Sequence, residues 1–244
     1  MSTTFAGAGR IAERRFYLGV SVAMVVAVLV GFSRSVFLRP MFPSWHAPSE
    51  PIFYVHGAVF MAWCALLVVQ ASLVGAGRTD VHRKLGWAGA VLALAMVVLG
   101  LRASLVAARR PTGFIDVPVP PLEFLLVPFA DMVLFPTFVA AAILLRRNAQ
   151  AHKRLMLLAT VNLMAAAVGR WPIVYESGSP LLTFALVNVF LLAMALWDWR
   201  TRGRLHPATL WGGAIFVASQ PLRIVLSTTP AWLAMARWMT GLSG

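Results

Sequence analysis

The sequence predicts an all-α integral membrane protein, a bundle of seven transmembrane helices, and three observations carry that expectation. Of the 244 residues, 60% are hydrophobic and 12% are charged, and the mean hydropathy is +0.80, well above that of a water-soluble domain with a polar exterior. Apolar runs of roughly 20 residues, long enough to cross a bilayer core as a helix, recur along nearly the whole chain. Between them the basic residues fall in short clusters. The runs are too long for barrel strands, and in lipid a spanning segment must pair its own backbone groups, so the spans are helices. No stretch is left for a soluble catalytic domain, and residues 1–244 read as a single polytopic membrane domain.

The first run, Phe16–Phe32, follows the basic segment Met1–Arg15 with no small-residue cleavage site and mature soluble domain behind it, so it is expected as an uncleaved first helix. The second and third runs are Ile52–Gly75 and Leu85–Ala107, and the fourth is Leu122–Leu145, which carries Pro128 and Pro136. The fifth, Leu155–Gly169, is the shortest, and its start can move back to His152. The sixth is Leu181–Trp197 and the seventh Ala208–Leu226. After Pro230, the segment Ala231–Met239 is short, amphipathic and rich in Trp, which predicts a helix lying in the membrane interface.

Charge sets the expected orientation. Arg10, Arg14, Arg15, Arg78, Arg83, Lys84, Arg146, Arg147, Lys153, Arg154, Arg200, Arg202 and Arg204 fall at one set of helix ends. The other set holds the smaller group Arg34, Arg39, Arg102, Arg109, Arg110, Arg170, Arg223 and Arg237. This bias predicts a cytoplasmic N-terminus and an outside C-terminus in a bacterial inner (cytoplasmic) membrane. The net charge of +13 therefore reads as a topology signal, and nucleic acid is not an expected partner. Cys64, the single cysteine, excludes intrachain disulfides and thiolate cages and is expected to be an inert packing residue.

Polar residues within apolar helices are the functional candidates, because burying them in a membrane is costly. They sort by depth into two groups. His82, His152, His206, Asp80 and Asp198 lie at cytoplasmic helix ends. Three imidazoles and a carboxylate are ligand chemistry for a divalent metal or iron, so His82, His152, His206 and Asp198 are candidate metal ligands. The cationic neighbours Arg83-Lys84 and Lys153-Arg154 favour the competing reading, interfacial anchors among lipid headgroups. His206-Pro207 is also an ordinary helix start. The second group lies in the outer half: His56, Asp131, Asn162, Asn188 and Gln220, with Arg102, Arg170 and Arg223 at outer helix ends. Asp131 stands between Pro128 and Pro136, where lost backbone hydrogen bonds can open a kink and line a pocket. The alternative for it is a packing tie to Arg170 or Asn162.

The run His56-Gly-Ala-Val-Phe-Met-Ala-Trp, followed by Gly77-Arg78 and His82-Arg-Lys-Leu-Gly-Trp, resembles the paired haem-bearing helices of the transmembrane di-haem b-type cytochromes that reduce ferric iron with ascorbate. Over residues 56–158 that resemblance implies a b-type haem shared by His82 and His152 at the cytoplasmic face. It also implies an outer haem whose second ligand is absent, since the fourth run offers Glu123, Asp131 and Met132 where a histidine belongs. Over the whole chain, Gly-Arg with His82-Arg-Lys-Leu-Gly, Ala151-His-Lys-Arg-Leu-Met-Leu-Leu and Arg204-Leu-His-Pro-Ala-Thr-Leu-Trp-Gly-Gly resemble an uncharacterised bacterial seven-helix membrane protein family, which implies no particular activity.

Phosphate loops, nucleophile elbows, His-Glu-x-x-His and histidine-box series are all missing, and the only lysines, Lys84 and Lys153, sit at helix ends rather than where a retinal would need one. The leading expectation is a redox or metal-linked membrane protein with His82 and His152 binding haem or a metal ion; whether it is an enzyme stays open. The alternative is a binding or transport protein whose outer-half pocket (His56, Asp131, Asn162, Arg170, Asn188, Gln220) takes a small-molecule or lipid ligand. A third is a structural subunit packed against a membrane-protein partner.

Overall fold

A computed structural model describes residues 2–46 and 48–242, with side chains from residue 9 onward; Ala47 of the expected outer loop and Met1 of the N-terminal segment lie outside it. Regular structure among the described residues is helical throughout: α1 Ser2–Gly31, α2 Pro51–Gly75, α3 Thr79–Arg109, α4 Pro121–Phe124, α5 Leu126–Leu144, α6 Ala149–Asn162, α7 Ala165–Val168, α8 Pro172–Ser177, α9 Pro180–Arg202, α10 Pro207–Ser227 and α11 Pro230–Thr240. Six segments are long and apolar enough to cross a membrane: Gly9–Gly31, Pro51–Gly75, Thr79–Arg109, Pro121–Leu144, Pro180–Arg202 and Pro207–Ser227. They match the expected runs except the fifth, with Phe32 and Leu145 falling one residue beyond the first and fourth segments. This is an integral membrane protein with multiple spans, in contact with the lipid bilayer.

The fifth run needs correcting. Its helix starts at Ala149 and breaks after Asn162, where the Leu163 and Met164 amides each donate back three residues, to Thr160 O and Val161 O at 3.0 Å, before α7 resumes. The low hydropathy of this stretch has a packing explanation. Residues Leu157 to Met164 are all buried, and a helix enclosed by other helices need not present an apolar face to lipid.

Local chemistry sets the helix starts. Proline occupies the first position of α2, α4, α8, α9, α10 and α11, where its missing N–H leaves no bond unmade and its φ is already helical. Asn148 caps α6 by accepting from the Gln150 and Ala151 amides at 3.1 and 3.2 Å, and Thr229 and Ser179 cap α11 and α9. In the core, Trp63 of α2 donates to Thr160 Oγ1 of α6 at 3.1 Å and meets Phe135 of α5 edge-on at 5.0 Å. Cys64 is buried beside Trp63.

Helix α1 approaches α7 backbone to backbone. A Cβ on Gly31 would stand 2.2 Å from Ala167 O, whereas a Cβ on Gly19 would meet nothing within 4 Å. Gly31→Ala is therefore expected to destabilise the protein by about 1–3 kcal/mol, the usual cost of forced overpacking. Gly19→Ala should leave the thermal melting curve in detergent unmoved. Equal melting of the two variants would refute the close approach.

Two polar rims close the bundle. At one end Arg14 Nη1 donates to Gly75 O at 2.9 Å, Gln150 Nε2 donates to Glu13 at 3.1 Å, and Lys153 pairs with Glu13. At the other end Arg110 forks onto Glu50 with two 2.6 Å bonds and lies 4.2 Å over the Phe53 ring, and the fork holds the Glu50 carboxyl down to about 2. Also at this end Arg39 donates to Tyr54 at 3.0 Å, Trp45 packs on Tyr175 at 4.8 Å, and His46 pairs with Asp116 at 3.0 Å. Helix α11 is tied down here: Trp232 donates to Leu122 O at 2.8 Å, and Arg109 Nε donates to Thr240 O at 2.6 Å. The chain between Lys153 and Tyr175 thus runs from the first rim to the second.

Candidate functional site

His82 lies in the first turn of α3 and His152 in the first turn of α6. Their rings stand 6.2 Å apart between centroids with planes at 88°. His152 Nδ1 donates to Ala142 O at 2.8 Å, which leaves the lone pair on Nε2. His82 Nδ1 faces Gln70 of α2. With the amide turned so that both its ends are satisfied, Gln70 donates to His82 Nδ1 at 2.8 Å and to His82 O at 3.3 Å, and accepts from the Gly86 amide at 3.3 Å. In that orientation the His82 proton sits on Nε2. Reversing the amide would set its oxygen against His82 O and its nitrogen against the Gly86 amide, so Gln70 fixes the Nε2-protonated tautomer, and a metal at Nε2 would have to displace that proton. Sequence reasoning missed Gln70, though its position about two turns before the Gly77-Arg78 break places it near the level of His82.

A metal held about 2.0–2.1 Å from each ring nitrogen lies roughly 3 Å from each ring centroid, so rings 6.2 Å apart stand at the full span of one ion between them. Two imidazoles suit iron, copper, zinc or nickel.

The wider ligand set expected from sequence is engaged elsewhere. Asp198 is buried and its carboxylate accepts from Arg154 Nε at 3.0 and 3.2 Å, from Arg154 Nη2, from the His206 amide at 3.1 Å and from Thr209 Oγ1 at 2.6 Å. His206 caps α10, its Nδ1 accepting from the Ala208 amide at 3.0 Å. Burial, with the Arg154 and Arg202 guanidiniums near it, lowers its pKa. Among the described residues no three His, Cys, Asp or Glu side chains are grouped to hold a metal ion. Arg154, which the basic pair Lys153-Arg154 marks as a topology charge, is 1% exposed and also donates to Gln150 O at 2.8 Å and to Gln150 Oε1 at 2.6 Å.

The outer-half residues divide. Asp131 is buried and accepts from Arg223 Nη1 at 2.6 Å; Arg223 Nη2 donates to Asn162 Oδ1 at 3.1 Å, and Asn162 Nδ2 donates to Asp131 O at 3.2 Å. The tie expected to Arg170 is made by Arg223 instead, because Arg223 sits one turn beyond Ser219 on the inward face of α10. Arg170 is exposed, donates to Ala166 O and lies 5.0 Å over Phe32. Asn188 and Gln220 exchange two amide bonds of 3.0 and 2.9 Å. His56 is half-buried, and its Nδ1 is buried without a partner. Pro128 falls in the first turn of α5, just past the break at Leu125 that separates it from α4; Pro136 lies inside the helix. Two surface grooves border α1, and neither is lined by Asp131, Asn162, Asn188 or Gln220.

Comparison with protein-family models, with curated proteins and with solved structures finds no match for this chain.

Proposed function

We propose that this is a seven-span protein of a bacterial cytoplasmic membrane, N-terminus inside, in which His82 and His152 hold a single metal centre, a b-type haem iron or a bare ion, near the cytoplasmic face. The observation that carries the reading is the 6.2 Å separation of the two rings, with His152 already anchored through Nδ1 as metal-bound histidines are. The seventh crossing is the segment from α6 to α7, supported by the polar contacts that put Lys153 and Tyr175 at opposite rims. The orientation rests on the cationic bias of the first rim, and α11 then lies along the outer interface. The resemblance to the di-haem cytochromes agrees with the pair His82 and His152 and offers no second site. A bound iron would supply one-electron chemistry, and the protein's part is to fix the two imidazoles.

The protein purified in mild detergent should show a Soret band or about one equivalent of a transition metal. His152→Ala should abolish it. Absence of both a Soret band and stoichiometric metal, with or without added haemin, Cu²⁺ or Zn²⁺, would end the reading.

A further inference from the structure

Two furrows run along α1, one on each side of its lipid-facing ridge. The first, about 400 Å³, is walled by Phe16, Gly19 and Ala23 of α1 and by Val189, Phe190 and Ala193 of α9; the second, about 300 Å³, lies between Ile11 and Leu18 of α1 and Ala71, Ser72 and Gly75 of α2. Arg15 heads the first and lines the second as well, which runs along α1 from Ile11 past Arg14 and Arg15 to Leu18. The ridge between them carries Val22, Val26 and Leu29, all exposed. From Arg15 to Ala23 the helix rises about 12 Å, close to the depth of one leaflet's hydrocarbon, about half of 30 Å.

Charge at the head of these furrows is one-sided. Arg15 is exposed and has neither a hydrogen-bond nor an ion-pair partner among the described residues; Arg14 uses one donor on Gly75 O. The nearest acid in sequence, Glu13, is committed to Lys153 and Gln150. Two apolar furrows meeting at a free cation match a lipid with two tails and one anionic headgroup.

We propose that Arg14, Arg15 and the two furrows beside α1 form a binding site for an anionic diacyl phospholipid, one tail in each furrow and the phosphate on the arginines. This is independent of the histidine pair. It accounts for the apolar walls and for the unpaired charge together, which ordinary annular lipid contact does not.

Native mass spectrometry of the detergent-purified protein, titrated with phosphatidylglycerol or with phosphatidylcholine of the same tails, tests it. Near a membrane surface one arginine strengthens anionic lipid binding about fivefold, so phosphatidylglycerol should bind at least fivefold tighter. Arg14→Gln with Arg15→Gln should remove that preference, weakening phosphatidylglycerol more than phosphatidylcholine, whose choline cation already offsets its phosphate. Gly19→Leu, placed where a side chain meets nothing within 4 Å, should weaken both lipids by filling one furrow. Equal affinity of the wild type for both lipids, or a preference that survives the double Arg variant, would overturn the proposal. So would dimers that persist when lipid is added and disappear with Gly19→Leu, because a second copy of the chain would then be the occupant.

Discussion

Replacing Asp198 with Ala is expected to be among the most damaging single changes in the protein, costing about 3–5 kcal/mol, because it leaves the guanidinium of Arg154, 1% exposed, as an unpaired buried charge. The carboxylate gathers α6, α9 and the start of α10: it receives Arg154, the His206 amide that opens α10, and the Thr209 hydroxyl. A bond from a neutral donor to this carboxylate is worth less, so Thr209→Ala should cost about 1.5–3 kcal/mol. The order of the two variants therefore separates charge compensation from hydrogen bonding. A third variant tests the assignment more sharply. Arg154→Met combined with Asp198→Asn removes both charges, and the Asn oxygen still accepts from Thr209 and the His206 amide. It should recover most of the loss seen in Asp198→Ala, since removing a whole buried pair is often neutral. Thermal melting in detergent and folded yield read all three. If Asp198→Ala melts like the wild type, or the double variant is the worst of the set, the buried pair does not hold this rim together.

Much of the fold was legible because membrane spanning imposes one rule, a continuous apolar helix, and six stretches obey it openly. The fifth was blurred for the reason that makes it central. Buried among other helices, α6 is free to carry His152, Lys153, Arg154, Thr160 and Asn162, so neither its hydropathy nor its length marks it. Depth along the helices was equally legible, and it placed His82 with His152 at one level and Asp131 with Asn162 at another. The direction in which a side chain points around its helix was not. Arg154 and Arg223 look like rim charges when only their distance from the helix end is counted, yet both face inward and neutralise the two buried carboxylates. Arg223 stands four residues after Ser219 and three after Gln220, both partners in the bundle interior, and that spacing was a usable signal. Arg170 carried no such signal: its neighbours Trp171 and Gly169 fit either face.

Arg223→Ala should be as damaging as Asp198→Ala, about 3–5 kcal/mol, by leaving Asp131 buried beside Asn162 without its cation. Arg223→Lys should rescue little. The two guanidinium nitrogens reach separate acceptors, Asp131 Oδ1 at 2.6 Å and Asn162 Oδ1 at 3.1 Å, and a single ammonium cannot reproduce that fork. The comparison also decides what the outer polar group is for. A packing tie predicts that Asp131→Asn with Arg223→Met folds well, since a neutral pair needs no compensation in the bundle interior, and that any bound haem or metal at His82 and His152 is unaffected. A proton or ligand site predicts a folded but inactive double variant and a milder loss in Arg223→Lys, because one positive charge would then suffice. The sealed geometry favours the tie: Asp131 holds Arg223, Arg223 holds Asn162, and Asn162 donates back to the Asp131 backbone, a closed loop joining α5, α6 and α10 with no polar face turned to a groove. Melting curves that rank Arg223→Lys beside the wild type would break that loop as the explanation.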